Sequence, residues 1–213
     1  MSDSHTIVAE QFDDPVQQKE TATLGMWTFL ATEVLFFGGL FMSYVTYRSL
    51  YPAAFAEAGR HTIVLYGTVN TAILLTSSLT MALAVHAVQE NRIKALERYL
   101  WITVLLGACF LGVKGLEYYA DVSEHLFPGP GFRTDLPAQG RIFWFLYWVM
   151  TGLHGLHVLV GVGLLSVIAF LARRGRFSDR YHNPVEISGL YWHFVDIVWI
   201  FLYPLLYLID RYA

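Results

Sequence analysis

Nine ionisable side chains occur within long apolar stretches of this chain, and six of them are candidates for chemistry inside a membrane. These six are Glu33, His154, His157, Glu186, His193 and Asp196. An ionisable group near the centre of a bilayer is costly, so each is a candidate for proton transfer, ligand binding or contact with a partner. Imidazoles and carboxylates also bind metal ions, so the spacing of these residues helps to distinguish a metal site from a site of proton transfer or partner contact.

Three of the six recur at helical spacing in the last apolar stretch. Glu186, His193 and Asp196 fall on one face of a helix, and His193 and Asp196 are one turn apart. We expect His193 and Asp196 to contact each other, because a carboxylate beside an imidazole lowers the cost of burying both. Such a pair could hold the helix against its neighbours, relay protons, or contact a lipid headgroup or a partner subunit.

Two further histidines, His154 and His157, lie three residues apart in the stretch TGLHGLHVLVG. A metal ion or haem would need another ligand from a second helix, and His193 is the obvious one. The sequence has no HExxH motif and no carboxylate–histidine array of the di-iron kind. We therefore predict no metal or cofactor in this chain, and histidines that bond to neighbouring helices.

Glu33 stands apart because no basic residue lies near it in its own apolar stretch. A carboxyl group in an apolar site favours its neutral, protonated form. It could store a proton, contact lipid in a cleft, or hydrogen-bond to a neighbouring helix. Further along the chain, Lys114 and Glu117 are one turn apart. These two could pair, or the lysine could extend to the membrane surface.

The elements that carry these residues are five apolar stretches, each long enough to cross the hydrocarbon core as a helix. They occupy about residues 24–47, 62–88, 99–119, 142–171 and 185–209. Of the 213 residues, 55% are apolar and only 15% are charged, against about a quarter charged in soluble domains. We predict an all-α integral membrane protein, with a polar N-terminal tail over residues 1–22 and one five-helix transmembrane bundle over residues 23–213.

Charge excludes one class of partner and orients the bundle. The formal net charge of −3 gives no basic surface for a nucleic acid, and the single cysteine, Cys109, excludes a disulfide framework. Lys and Arg are more frequent in the tail and in the second and fourth connections, which predicts a cytoplasmic N-terminus and a C-terminus outside, on the periplasmic side. With this orientation, a rise of about 1.5 Å per residue suggests that all six candidate residues share the cytoplasmic half of the membrane.

Five motifs, one in each apolar stretch, together resemble a known family. In chain order they are ATEVLFFGGLF (31–41), NTAILLTSS (70–78), GLEYY (115–119), TGLHGLHVLVG (151–161) and YWHFVDIVWIFLYPLLYLI (191–209). Each motif alone is moderate evidence, but their order and the final WHFVDIVW make the likeness specific. The chain resembles the cytochrome c oxidase subunit III family, in the five-helix form found in bacteria.

The resemblance implies an accessory subunit without a redox centre, in the cytoplasmic (inner) membrane of a bacterium. It would pack against the haem–copper catalytic subunit I of a proton-pumping oxidase, stabilise turnover and support proton uptake from the cytoplasmic side. Haem and copper would lie in partner subunits, which include the copper-bearing subunit II and further subunits of a respiratory complex. In the family, a membrane-buried glutamate at the position of Glu33 reacts with carbodiimide. Glu33 is therefore singled out first, with His193 and Asp196 as structural or lipid contacts.

The chain also departs from the better-known members of the family. Those have seven helices, and their first two form a V-shaped cleft with the rest that holds phospholipid. Bound phospholipid here would need a neighbouring subunit to supply the missing helices. Lys114 replaces a glutamine that is common in those members, a departure shared with subunits associated with nitric oxide reductase. An accessory subunit of a nitric oxide reductase is therefore the alternative function, ahead of a haem-bearing cytochrome or a transporter.

Overall fold

The computed structural model describes residues 14–133, 136–178 and 181–209, and every regular element in these residues is a helix. The elements are α1 (Pro15–Leu50), α2 (Pro52–Arg60), α3 (Val64–Gln89), α4 (Ile93–Ser123), α5 (Gly140–Arg173), α6 (Asn183–Tyr203) and a π-helical turn (Pro204–Leu208) that continues α6. Helices α1, α3, α4, α5 and α6 with its π-helical turn are long and apolar enough to cross a membrane. The predicted all-α fold with five membrane-spanning helices is confirmed.

The first helix begins earlier than its apolar stretch. It begins at Pro15, inside the predicted polar tail, because Asp14 caps it: the Asp14 carboxylate accepts a hydrogen bond of 2.7 Å from the backbone N–H of Gln17. Proline in the first turn has a backbone angle suited to a helix start. Residues 15–22 are therefore helical, and residues 1–13 of the predicted tail lie outside the described residues.

The spans pack as a ring of four helices with a fifth on its side. Helix α3 packs against α4 and α6, and α5 packs against α4 and α6, so that α3–α6 close a four-helix ring. Helix α1 lies along the seam between α5 and α6. The short α2 packs on α5, where the Phe55 ring meets the Phe143 ring edge-on with 5.7 Å between centroids.

Trp192 occupies the centre of the ring and is fully buried. A Cβ atom on Gly107 of α4 would lie 2.6 Å from the Trp192 ring, and one on Gly161 of α5 would lie 2.8 Å from it. Both helices approach the indole this closely because the two positions lack side chains. The Trp192 indole N–H also donates a 3.1 Å hydrogen bond to Ser77 Oγ, which holds α6 to α3.

Candidate functional site

Glu33 and His157 form a pair across the α1–α5 seam. Glu33 Oε2 lies 3.1 Å from His157 Nε2, and these two side chains are 18% and 17% exposed. Phe37 packs edge-on against the imidazole, and the Tyr191 hydroxyl donates a 3.0 Å hydrogen bond to the His157 carbonyl. Of the alternatives for Glu33, the structure shows the hydrogen bond to a neighbouring helix, and that helix supplies a basic neighbour. The neighbour comes from another helix, which the composition of α1 alone does not reveal.

The hydrogen bonds of His157 determine how many protons this pair holds. His157 Nδ1 lies 2.8 Å from the carbonyl oxygen of Leu153, so Nδ1 must carry a hydrogen to make that bond. The contact between Nε2 and Glu33 then needs a second proton, carried either by the imidazole or by the carboxyl group. The contact between Glu33 and His157 therefore requires one proton, on either the carboxyl group or the imidazole.

His193 and Asp196 do not form the predicted pair. His193 Nδ1 lies 2.8 Å from the Ser78 hydroxyl of α3, whereas neither carboxylate oxygen of Asp196 has a hydrogen-bond partner among the described residues. Asp196 is only 3% exposed. The prediction of a direct His193–Asp196 contact is wrong because a shared helix face does not fix where each ring or carboxylate points. The imidazole of His193 instead forms a hydrogen bond with the Ser78 hydroxyl on the facing helix.

Glu186 lies in a separate polar group at the end of the bundle where α1 begins and α3 ends. Its carboxylate accepts a 3.0 Å hydrogen bond from the Gln89 amide and lies 3.1 Å from His182 Nε2 and 3.4 Å from Lys19 Nζ. His193 is seven residues further along α6, about 10 Å away along the helix axis. Sequence reasoning missed His182, although its spacing of four residues from Glu186 was a usable signal.

His154 makes no hydrogen bond to any of the other five residues. It is 1% exposed, and neither ring nitrogen has a hydrogen-bond partner among the described residues. Its ring stacks on Trp199 and meets Phe110 edge-on, with centroid distances of 5.2 and 5.5 Å. Trp199 is thirteen residues beyond Glu186, about 20 Å along α6 and past its middle. The prediction that all six residues share one half of the membrane is therefore wrong for His154, which lies nearer the opposite end.

Apart from the Glu33–His157 pair, the six predicted residues thus occupy separate places rather than one site. His157 and His193 face different neighbours, so the structure does not bring the three intramembrane histidines together as ligands. Within residues 14–133, 136–178 and 181–209, no group of three His, Cys, Asp or Glu residues is arranged to hold a metal ion. The Glu33–His157 pair is the one at which a shared proton, partial exposure and a mid-membrane position coincide.

Known proteins resemble this chain over nearly its whole length. The family profile described as cytochrome c oxidase subunit III matches residues 7–210. A protein named cytochrome c oxidase subunit 3 from Thermostichus vulcanus is 34% identical over 201 residues, which cover 94% of this chain and 93% of that protein. One of the same name from Alkalihalophilus pseudofirmus is 34% identical over 185 residues, covering 87% and 85%.

A vertebrate relative shows the same likeness in a longer protein. The cytochrome c oxidase subunit 3 of Gadus morhua is 35% identical over 193 residues, which cover 86% of this chain but 67% of that protein. These comparisons give no support to the nitric oxide reductase alternative. The five spans, their motifs and matches over most of the sequence agree, and the chain belongs to the cytochrome c oxidase subunit III family.

Proposed function

We propose that this chain packs against the haem–copper catalytic subunit I of a proton-pumping cytochrome c oxidase and supports its proton uptake. As a member of the family, it is a non-catalytic accessory subunit of a haem–copper oxidase. We place it in the cytoplasmic membrane of a bacterium, with subunit II and further respiratory subunits as partners. The bias of Lys and Arg supports a cytoplasmic N-terminus, which puts the Glu186 group at the cytoplasmic end.

Helix α1 offers the surface for this packing. It contacts α5 and α6 along one side only, and large apolar side chains on its other sides are exposed, among them Leu35 at 77% and Met42 at 68%. An apolar surface of this extent in a membrane protein is covered by lipid or by another subunit. We expect the catalytic subunit and its boundary lipid to cover α1 in the assembled oxidase.

The Glu33–His157 pair carries the proposed role in proton uptake. The pair lies near the middle of α1, is partly exposed at the seam beside this α1 surface, and holds one proton that either group can carry. A carboxyl–imidazole pair of this kind can accept and release protons at the edge of a partner subunit. We propose that it takes part in supplying protons from the cytoplasmic side during sustained turnover.

The decisive experiment replaces Glu33 with glutamine in the assembled oxidase. The amide N–H of the substituted side chain can still donate to Nε2 of a neutral His157, so Glu33→Gln should assemble normally while removing the shared proton. We expect slower proton uptake from the cytoplasmic side and faster loss of activity during turnover. Glu20→Gln, on the same helix but outside the apolar stretch, is the matched control and should behave as the unmodified protein does.

Two results would overturn parts of this proposal separately. Unchanged proton uptake and inactivation kinetics in the Glu33→Gln oxidase would remove the role of the pair and leave the subunit's identity intact. If the native complex purifies without a haem–copper subunit and consumes no oxygen, the accessory role itself is refuted. A separate experiment tests the predicted orientation. An alkaline phosphatase fused to the C-terminus should be active if the C-terminus lies outside, because that enzyme functions only outside the cytoplasm.

A phospholipid contact also has a place on the surface of the bundle. A shallow groove of about 520 Å³ along the first part of α4 is lined by Lys94, Glu97, Arg98, Trp101, Ile102 and Leu105. Two cations above an indole and an apolar side chain suit the phosphate and acyl chain of an anionic lipid. Lys94→Gln with Arg98→Gln should reduce the anionic lipid that remains bound in native mass spectrometry. Equal retention by the unmodified and substituted chains would contradict this.

A further inference from the structure

A second polar group lies buried at the other end of the bundle, away from Glu186. It comprises Lys114, Glu117 and Asp121 of α4, Tyr147 of α5 and Tyr207 of the π-helical turn, and is called the Lys114 network below. All five residues are 3% exposed or less. The predicted pairing of Lys114 with Glu117 is confirmed, at 3.0 Å, and extension of the lysine to the surface is wrong.

Six close contacts connect the polar atoms of the Lys114 network. Lys114 Nζ lies 3.0 Å from Glu117 Oε2, 2.9 Å from the Tyr147 hydroxyl and 2.7 Å from the Tyr207 hydroxyl. Both hydroxyls approach Glu117 Oε1, at 2.8 Å from Tyr147 and 2.7 Å from Tyr207. The sixth contact joins the Tyr147 hydroxyl to Asp121 Oδ2 at 3.0 Å. The two tyrosine hydroxyls are 3.4 Å apart, the longest separation in the group.

These contacts require more protons than the lysine and the tyrosines supply. A lysine ammonium has three donor hydrogens and each tyrosine hydroxyl has one, which makes five for six contacts. Tyr147 in particular faces two carboxyl groups with a single hydrogen. A proton on Asp121 removes the deficit, because the Asp121 O–H then donates to the Tyr147 hydroxyl, and Tyr147 and Tyr207 donate to Glu117. Glu117 accepts from three donors and is the carboxylate that stays ionised.

The charges inside the network also indicate that it binds one additional proton. One ammonium and two ionised carboxylates would leave a net negative charge buried among aromatic rings, which is costly at membrane depth. One bound proton makes the network neutral. Asp121 lies two residues before the end of α4 and near Glu124, whereas Lys114 and Glu117 lie further from that end of the helix.

We propose that the Lys114 network is a proton-binding site, in which Asp121 holds one proton that it exchanges with the aqueous phase beside the α4–α5 connection. This site is distinct from the Glu33–His157 pair, and it does not depend on that pair's proposed role. Its ligand is a single proton, and its neighbours are Lys114, Glu117, Tyr118 and Glu124 on α4, Tyr147 on α5 and Tyr207 after α6.

Infrared spectroscopy of the purified oxidase tests the site directly. The unmodified complex should show the carbonyl band of a protonated aspartic acid, shifted in D₂O and by carboxyl-labelled ¹³C-aspartate. Asp121→Asn should remove this band while its amide N–H keeps the bond to Tyr147, so the subunit should be retained at the level of the unmodified protein. Asp196→Asn, which changes the other buried aspartate in the described residues, is the control and should leave the Asp121 band in place.

Glu117→Gln provides the contrasting variant. It removes the carboxylate that compensates Lys114, so we expect a large loss of the subunit from the purified complex. The proposal is overturned if the Asp196→Asn complex shows no band of a protonated aspartic acid, or if Asp121→Asn leaves that band unchanged. It is equally overturned if Asp121→Asn lowers incorporation as much as Glu117→Gln does, because an ionised Asp121 would then be required.

Discussion

Replacing Gly161 with alanine is expected to destabilise the bundle, because the new methyl group would collide with the central tryptophan. Its Cβ would lie 2.8 Å from Cζ3 of Trp192, about 0.6 Å closer than the onset of ordinary contact at 3.4 Å. The indole cannot turn away freely, since Gly107 packs on its other side and Ser77 holds its N–H. Overpacking of this kind costs about 1–3 kcal/mol.

The helix propensity of alanine offsets part of this cost. Alanine stabilises a helix interior by roughly 0.5–1 kcal/mol relative to glycine. The net destabilisation by Gly161→Ala should therefore be roughly 1 kcal/mol, within a range of about 0–2.5 kcal/mol. Gly163→Ala, two residues away on the same helix, would place its Cβ where no atom lies within 4 Å. This matched control should be neutral or slightly stabilising.

Heating the detergent-solubilised oxidase and following release of this subunit on native gels measures the difference. Gly161→Ala should release the subunit at a lower temperature than the unmodified complex, and Gly163→Ala should not. Trp192→Phe removes the two closest of the three atoms that a Cβ on Gly161 would meet and leaves only Tyr191 Cε1, at 3.2 Å, so Gly161→Ala should cost less in that background. Equal release temperatures for the two glycine variants, or additive effects of Gly161→Ala and Trp192→Phe, would refute the argument from close packing.

Three further substitutions test separate contacts. Ser78→Ala removes the only hydrogen-bond partner that His193 has among the described residues. It should destabilise the subunit by about 1 kcal/mol. An unchanged release temperature would count against that contact. Asp196→Asn should change stability by less than about 1 kcal/mol, since the carboxyl has no hydrogen bond within the described residues to lose, and a larger loss in the same assay would reveal a partner-subunit contact. Asp14→Ala should weaken the start of α1 by about 1 kcal/mol, seen as faster amide exchange in its first turn, and unchanged exchange would contradict the cap.

The candidate residues show where sequence reasoning succeeds and where it stops. Their types and their presence in apolar stretches identified Glu33 as a candidate, and the pairing of Lys114 with Glu117 followed from their spacing. The actual partners of Glu33 and His193 come from helices more than a hundred residues away in the chain. A helical repeat shows which residues share a face, but it does not show which residue of another helix meets that face.

The sequence by itself determined the class of the protein and the number of its spans. The length and apolarity of a membrane helix are local properties, because every backbone group must bond within its own segment across the hydrocarbon. Only the tertiary structure decided which polar groups meet, because that depends on the rotation and relative depth of each helix. It placed His157 against Glu33, Ser78 against His193, and the two tyrosines around Lys114. Helix rotation is set by the packing of large side chains such as Trp192 against glycines on other helices, which no single stretch of sequence contains.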